Sequence, residues 1–476
     1  MNNTGSADIV KQLSKERERL MAPWKLRDAQ LVKDRSMLNL EKPKETTDDI
    51  KLVSNEPKVF YETACALVSS FPPRYRLPLS MNYNEKEVKK MNKAERFLTG
   101  VFREIDTKQM ERGRSYWLRE LAYWVLSGWY SVFTFANRRG KTVEFAADLW
   151  DPMNVYPLWD DDGLYKCIRS YQVNTPTAWS MARKFGKQGL KFEFSLPDDA
   201  TQVEVNNYWV REMGKKGKNE ILNAITIGDN LIKTLTHEKQ FNKIPIKIGG
   251  IGVPEHVSTG WEARFGESII AADRDMYEYT NSFVSLMATI AAETAYPNLV
   301  SKTMTGAPLV KDKMKGYGEQ ISMKVGESIE LLKHAATPTE VNLLLSWAAR
   351  QQQKGSLPET VYGNVPFELS GFAISQLLAA IRYKMAPYLN TMEYIISGIS
   401  TDLMTQYAEG DAEGEYPKIT LMSPDKTQLK KGLFFIEEFS PKDIPEARYV
   451  EVTIPVTSPL DKVQQIQFAA LYQAVK

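Results

Sequence analysis

Apolar positions recur at helical spacing through residues 7–41, where Ile9, Leu13, Leu20, Trp24, Leu31 and Leu38 mark a loose face among balanced charges. The pattern predicts one or two peripheral helices, followed by a polar linker at 42–51 (KPKETTDDIK). Ser54-Asn55-Glu56-Pro57 then offers a helix start, and the apolar run that follows predicts a helix ending before Pro72-Pro73. Helices also fit 85–105 and 114–127, the latter apolar on most sides and therefore expected to be buried. From Gly128 the period changes to two. Runs at 130–136 and 142–149 flank a basic turn, Asn137-Arg138-Arg139-Gly140-Lys141, and read as a hairpin. Further short strands run to Val173, a helix fits 175–186, and a second meander is predicted through 202–211, 220–227, 231–236 and 243–248.

Beyond Gly266 the helical period returns. A long helix is predicted over 268–295, and its second half, NSFVSLMATIAAETA, is apolar around most of its circumference. Such a helix has to be covered by protein, either this chain's own core or neighbouring subunits; the sequence does not choose between them. Residues 298–336 read as short strands and turns with scattered lysines. Thr337-Pro338-Thr339-Glu340 opens a second helix, with Thr337 as cap and Glu340 at the capping-box position, running to Lys354. A breaker-dense loop leads to a final long helix over 372–408. Pro387 inside it removes one backbone hydrogen bond, so a kink is expected near 383–387. Strands at 418–422, 433–437 and 449–456 and a helix at 459–474 complete the pattern, which is that of an α+β protein.

Composition narrows the chemistry. The 476 residues carry 61 Lys+Arg against 59 Asp+Glu, which argues against a simple, strongly basic nucleic-acid binder. Two cysteines, Cys65 and Cys167, and three scattered histidines make a disulfide framework or histidine-based metal centre an unpromising reading; reduced structural thiols are expected, and no cofactor is implied. The first 20 residues are polar, without the apolar core of a signal peptide, and no stretch has the length and purity of a membrane span. The expectation is a protein made in the cytoplasm with no membrane partner. Gly140-Lys141-Thr142 invites a phosphate-loop reading, but Phe135 stands where the motif needs glycine and the context is hairpin. Asp160-Asp161-Asp162 offers clustered carboxylates for a divalent cation, as in metal-dependent nucleic-acid enzymes, yet Asp-Asp-Gly after a strand reads first as a turn. Nothing else in the chain suggests an enzyme.

Several segments, in order, resemble the portal proteins of tailed bacteriophages: Ser54-Asn55-Glu56-Pro57; Leu126-Ser127-Gly128; Asp151-Pro152-Met153-Asn154-Val155-Tyr156-Pro157; Asn242-Lys243-Ile244-Pro245-Ile246; Phe265-Gly266-Glu267-Ser268; Leu357-Pro358-Glu359-Thr360-Val361-Tyr362-Gly363; and Ser370-Gly371-Phe372-Ala373-Ile374. The resemblance implies a virion protein that forms a ring, usually of twelve subunits, at one capsid vertex, through which double-stranded DNA is packaged and ejected. It implies a portal-like architecture: a mixed α/β wing at 1–264, a two-helix stem at 265–296 and 337–354, and a small α/β clip at 297–336. A tunnel loop at 355–371, a long kinked helix at 372–408 and a short C-terminal β/α wing and crown region at 409–476 would follow. Implied partners are copies of the same chain, a terminase motor, the major capsid or scaffolding protein, and a tail adaptor. By the same carry-over Arg350, Lys354, Tyr362 and Asn364 would face the DNA channel, and Lys311, Lys313 and Lys315 in the clip would meet the motor or adaptor. The rival readings are a metal-dependent nucleic-acid enzyme using Asp160–Asp162 and another head–tail connector component.

Overall fold

The computed structural model describes residues 3–42, 50–79, 84–187, 192, 194–197, 201–214, 219–251, 266–295, 299–303, 325–326, 328–331, 339–357, 371–411, 414–424, 434–446 and 448–455. In chain order its elements are α1 (Asn3–Met21), α2 (Lys25–Leu38), α3 (Glu56–Ser69), β1 (Arg74–Arg76), α4 (Glu85–Glu111), α5 (Trp117–Leu126), β2 (Trp129–Arg139), β3 (Thr142–Leu149), β4 (Val155–Asp160), β5 (Gly163–Asn174), α6 (Thr175–Lys187), β6 (Gln202–Met213), β7 (Asn219–Ile227), β8 (Asn230–His237) and β9 (Ile246–Gly250). There follow α7 (Arg274–Ala295), β10 (Leu299–Lys302), β11 (Ser328–Leu331), α8 (Thr339–Gly355), α9 (Gly371–Glu409), β12 (Ile419–Pro424), β13 (Phe434–Phe439) and β14 (Glu451–Thr453). The protein is mixed α+β, and every strand pairing among the described residues is antiparallel. The described residues fall into two compact units. One is drawn from Met1–Asp34, Tyr61–Ile269 and Phe367–Lys476, the other from Arg35–Phe60 and Ile270–Pro366.

In the first unit a five-stranded sheet of order β4-β5-β6-β7-β8 accompanies a three-stranded sheet β3-β2-β9 and the pairs β1-β14 and β12-β13. The strand from the Asn242–Ile246 region does not extend the meander as its alternation suggests. β9 pairs with β2 instead, from Phe133↔Ile246 to Trp129↔Gly250. Ile246 and Ile248 are buried with Trp129, Trp150 and Trp209 in one core, and a period-two pattern marks which face is apolar without naming the neighbouring strand.

That same core takes in Leu13, Leu20 and Trp24, so α1 and the turn after it are not peripheral as their charge content suggests. Three or four apolar residues on an otherwise charged helix are enough when they meet a sheet face, because burial scales with the area covered rather than with composition. A separate cluster packs Ala178 of α6 against Val203, Val205, Ile225 and Ile227 of β6 and β7. Phe97 of α4 stacks on Tyr407 of α9 (centroids 5.3 Å, 19°) and meets Phe145 of β3 and Phe439 of β13 edge-on, tying four elements together. α4 itself starts with a capping box between Asn84 and Glu87. Gly128, at φ 92°, turns the chain from α5 into β2; a Cβ there would lie 2.6 Å from the Glu267 carbonyl carbon, so the position requires glycine.

The second unit contains α7, the β10-β11 pair and α8. α7 begins at Arg274, later than the pattern predicts, after a short 3-10 turn at Ala271–Asp273. α9 continues as one helix past Pro387, whose carbonyl accepts a hydrogen bond from the Thr391 hydroxyl at 2.7 Å.

Candidate functional site

α7 and α8 lie against each other in antiparallel fashion. Gln352 Nε2, near the end of α8, donates to Thr280 Oγ1 near the start of α7 at 3.2 Å. A Cβ added at Gly355 would collide with the carboxylate of Asp273, so the last residue of α8 approaches the turn that precedes α7. The contact seam is narrow. Ala348 and Gln352, one helical turn apart, are the buried positions of α8 over residues 343–355; on α7 over 274–292 they are Tyr277 and Ser285, the latter under the extended segment described below.

Away from that seam the helices present large apolar side chains to solvent. On α8 these are Leu343 (71% exposed), Leu344 and Trp347 (51%); on α7 they are Tyr279, Val284 and Leu286 (55%). Singly such residues mean little, but six on two neighbouring helices are unusual for a surface that meets only water. Among the described residues these six side chains stay exposed.

A feature not foreseen from the sequence is a strap over α7. Residues 50–54, at the end of the segment read as a linker, lie extended along the helix. The backbone N–H groups of Ile50, Leu52 and Ser54 donate in turn to Thr289 Oγ1 (3.0 Å), Ser285 Oγ (2.9 Å) and Asn281 Oδ1 (2.8 Å). The matching is geometric: alternate residues of an extended chain advance close to 6.8 Å, and every fourth residue of a helix advances about 6 Å. Ser285 and Thr289 also donate back to the carbonyls of Asn281 (2.6 Å) and Ser285 (3.0 Å), so each hydroxyl is both donor and acceptor. The recurrence of Asn281, Ser285 and Thr289 at four-residue spacing on an apolar helix was the available signal. A cleft of about 640 Å³ opens beside the strap, lined by Glu41, Lys42, Lys51, Glu278 and Ser282 among others.

Arg350 and Lys354 lie exposed on α8. Tyr362, Asn364, Lys311, Lys313 and Lys315 lie outside the described residues, as does the capping residue Thr337. The basic turn is a two-residue hairpin closed by Arg139↔Thr142, with Gly140 at φ 62°. Two of its charges are paired within the chain: Arg138 forks onto both carboxylate oxygens of Asp411 at 3.0 Å, and the exposed Arg139 meets Glu144 at 2.6 Å, while Lys141 is exposed. Arg138 is therefore a structural clamp rather than a phosphate contact. The Asp160–Asp162 cluster is the β4–β5 turn. Asp160 accepts from Asp162 N–H at 3.0 Å and pairs with the Arg211 guanidinium, which also donates to Asp162 O. A carboxylate already neutralised by arginine is a weakened cation ligand. Among the described residues no group of three or more His, Cys, Asp or Glu is placed to hold a metal ion, and no helix is long and apolar enough to cross a membrane.

No protein-family model matches the chain, and no curated protein matches it significantly. Among solved structures, a chain in the virion of a native gene transfer agent particle is similar at TM-score 0.45 and 10% identity, covering 88% of this chain and 85% of that one. A chain in the neck of an empty gene transfer agent particle is similar at TM-score 0.43 and 11% identity, with 88% and 86% covered.

Proposed function

We propose that this chain is a portal-type subunit: a virion protein that assembles head-to-tail into a ring, in the manner of a dodecamer, and serves as the conduit for double-stranded DNA at one capsid vertex. The observation that carries the reading is the solvent-facing apolar side of α7 and α8. A ring supplies what the isolated chain lacks, because a heterologous interface that closes buries the same face of every subunit against its neighbour. The ordered segments of the portal resemblance support the same assignment. On this reading residues 265–296 and 337–354 form the stem, 297–336 the clip, 355–371 the tunnel loop, and the regions 1–264, 372–408 and 409–476 the wing, the long helix and the crown side. Arg350, Lys354, Tyr362 and Asn364 face the channel. The clip lysines 311, 313 and 315 meet the packaging motor and later the tail adaptor. The near balance of charge suits a conduit, since many fixed phosphate contacts repeated around a ring would hold DNA rather than let it pass. The protein itself catalyses nothing; the motor's nucleotide chemistry belongs to a separate protein.

The test is mass by light scattering together with end-on electron micrographs of the purified chain. Closed rings are expected, and the double variant Leu343→Lys, Trp347→Glu should leave folded monomers with an unchanged circular-dichroism spectrum. A wild-type protein that stays monomeric at every concentration and salt sinks the proposal. Deleting 356–366 separates a portal from another connector component: a portal lacking that loop still forms rings but fails to package or retain DNA.

A further inference from the structure

Different sides of α7 do different work. Asp273, in the turn before the helix, and Thr280 meet α8, while Asn281, Ser285 and Thr289 carry the strap. A further stripe is made by Met276, Tyr279, Phe283 and Leu286, of which Tyr279 and Leu286 are exposed and Met276 and Phe283 half-buried. Its spacing alternates three and four residues, the heptad step that keeps one narrow seam turned toward a partner helix. Tyr279 and Phe283 stack on each other with ring centroids 5.7 Å apart, so two members of the stripe hold each other in place.

α8 carries a stripe of the same step. Leu343, Trp347, Arg350 and Lys354 follow one another at four, three and four residues, all exposed, on a side of the helix turned away from Ala348 and Gln352. The two stripes do not meet within one chain, because α8 turns Gln352, on its other side, toward α7. The first half of the α8 stripe is apolar and the half nearer its end is basic. On α7 the order is complementary: the exposed acidic residues Asp275 and Glu278 flank the start of the stripe, and Leu286 stands at its far end.

We infer that the α7 stripe seats α8 of a second copy of this chain, packed antiparallel in a heptad seam with Leu343 level with Leu286 and Arg350 level with Tyr279. The inference rests on the ring reading above and supplies its register. A closing head-to-tail contact needs two different faces on every subunit, and one stripe on each helix provides them. The levels come from the chain itself. Gln352 is level with Thr280 and Gly355 with Asp273. Equal steps back along α8 and forward along α7 then bring Leu343 to the height of residues 285–289 and Arg350 to that of 278–282. In a ring whose axis runs along the helices, neighbouring copies keep these heights. Charge selects the direction. Antiparallel packing sets Arg350 and Lys354 beside Asp275 and Glu278 of the neighbour, whereas parallel packing sets them beside Leu286. Such flanking pairs fix partner and register more than strength. At the flank of the seam the two long side chains can still carry their charges to the channel.

The test is disulfide trapping between full chains that carry one added cysteine each and two different affinity tags; the native Cys65 and Cys167 are buried. Leu286→Cys is co-expressed with Leu343→Cys, and Tyr279→Cys with Arg350→Cys. The exchanged pairs, Leu286→Cys with Arg350→Cys and Tyr279→Cys with Leu343→Cys, are displaced by about 10 Å along the antiparallel seam. Because a disulfide needs Cα atoms within about 7 Å, the two registered pairs should link about tenfold faster than the exchanged ones, each giving a dimer that holds both tags. A single variant expressed alone should give no dimer. Faster linking in the exchanged pairs means parallel packing, and a dimer from one variant alone means that like faces meet; either result overturns the inference. Rings in which neither registered pair links overturn it while leaving the ring reading intact. A wild-type chain that never associates removes the ring reading and the inference with it. Should Leu286→Cys or Leu343→Cys stop assembly, the Tyr279–Arg350 pair decides alone, linked for the inference and unlinked against it.

Discussion

Arg27 is 2% exposed, yet it is one of 61 basic residues that nothing in the sequence sets apart. Its guanidinium lies over Trp24, Trp129 and Tyr156, its Nε donates to Asp28 at 2.9 Å and its Nη1 to Val155 O at 3.1 Å. Burial lowers its pKa and the neighbouring Asp28 carboxylate opposes that shift, the balance expected where a paired cation is stacked on aromatic rings. The cysteines, by contrast, behave as their isolation in the sequence suggests: both are free and buried. Burial pushes the Cys65 thiol up to about 12, and that of Cys167, in the sheet core, still higher. The thiolate is the reactive form. Ellman's reagent at pH 8 should therefore find no reactive thiol in the native protein and two in denaturant; prompt labelling of either in the native state would contradict the buried placement.

At the scale of elements, most helices and hairpins follow from local pattern, because a 3.6 or a two-residue period is a property of a few consecutive residues. Hydrophobic periodicity placed α4, α5, α6 and the β2–β3 and β4–β5 hairpins close to where they form. It misplaced β9, and it missed the strap, since which strand or helix a segment meets depends on residues far away in the chain. The strap makes its own prediction. Ser285→Ala and Thr289→Val each remove a side-chain acceptor from a backbone N–H, at a cost of roughly 1 kcal/mol apiece. Hydrogen exchange should quicken at Leu52 in the first variant and at Ile50 in the second, and stay unchanged at Ser54, whose acceptor is Asn281. Equal protection in all three proteins would show that the hydroxyls do not hold the segment.

For the whole molecule the decisive surface is the apolar side of α7 and α8. An interface built on Tyr279, Val284, Leu286, Leu343, Leu344 and Trp347 draws its free energy from removal of apolar area from water. Sedimentation velocity should therefore show subunit association retained or strengthened between about 0.1 M and about 1 M NaCl, over which the screening length shrinks about threefold. Dissociation at the high-salt end would point to an ionic interface instead. By itself the sequence determined the α+β class, the order of most elements and the fact that 281–295 needs covering, because these rest on composition and local period. It also determined that Gly140-Lys141-Thr142 and Asp160–Asp162 belong to turns. Only the tertiary structure decided that the first helices enter the core, that Arg138 and Asp160 are consumed by partners within the chain, and that the apolar faces of α7 and α8 remain open. The physical reason is common to all three: burial and pairing are set by what lies opposite a residue in space, and those neighbours are here separated by tens to hundreds of positions along the chain.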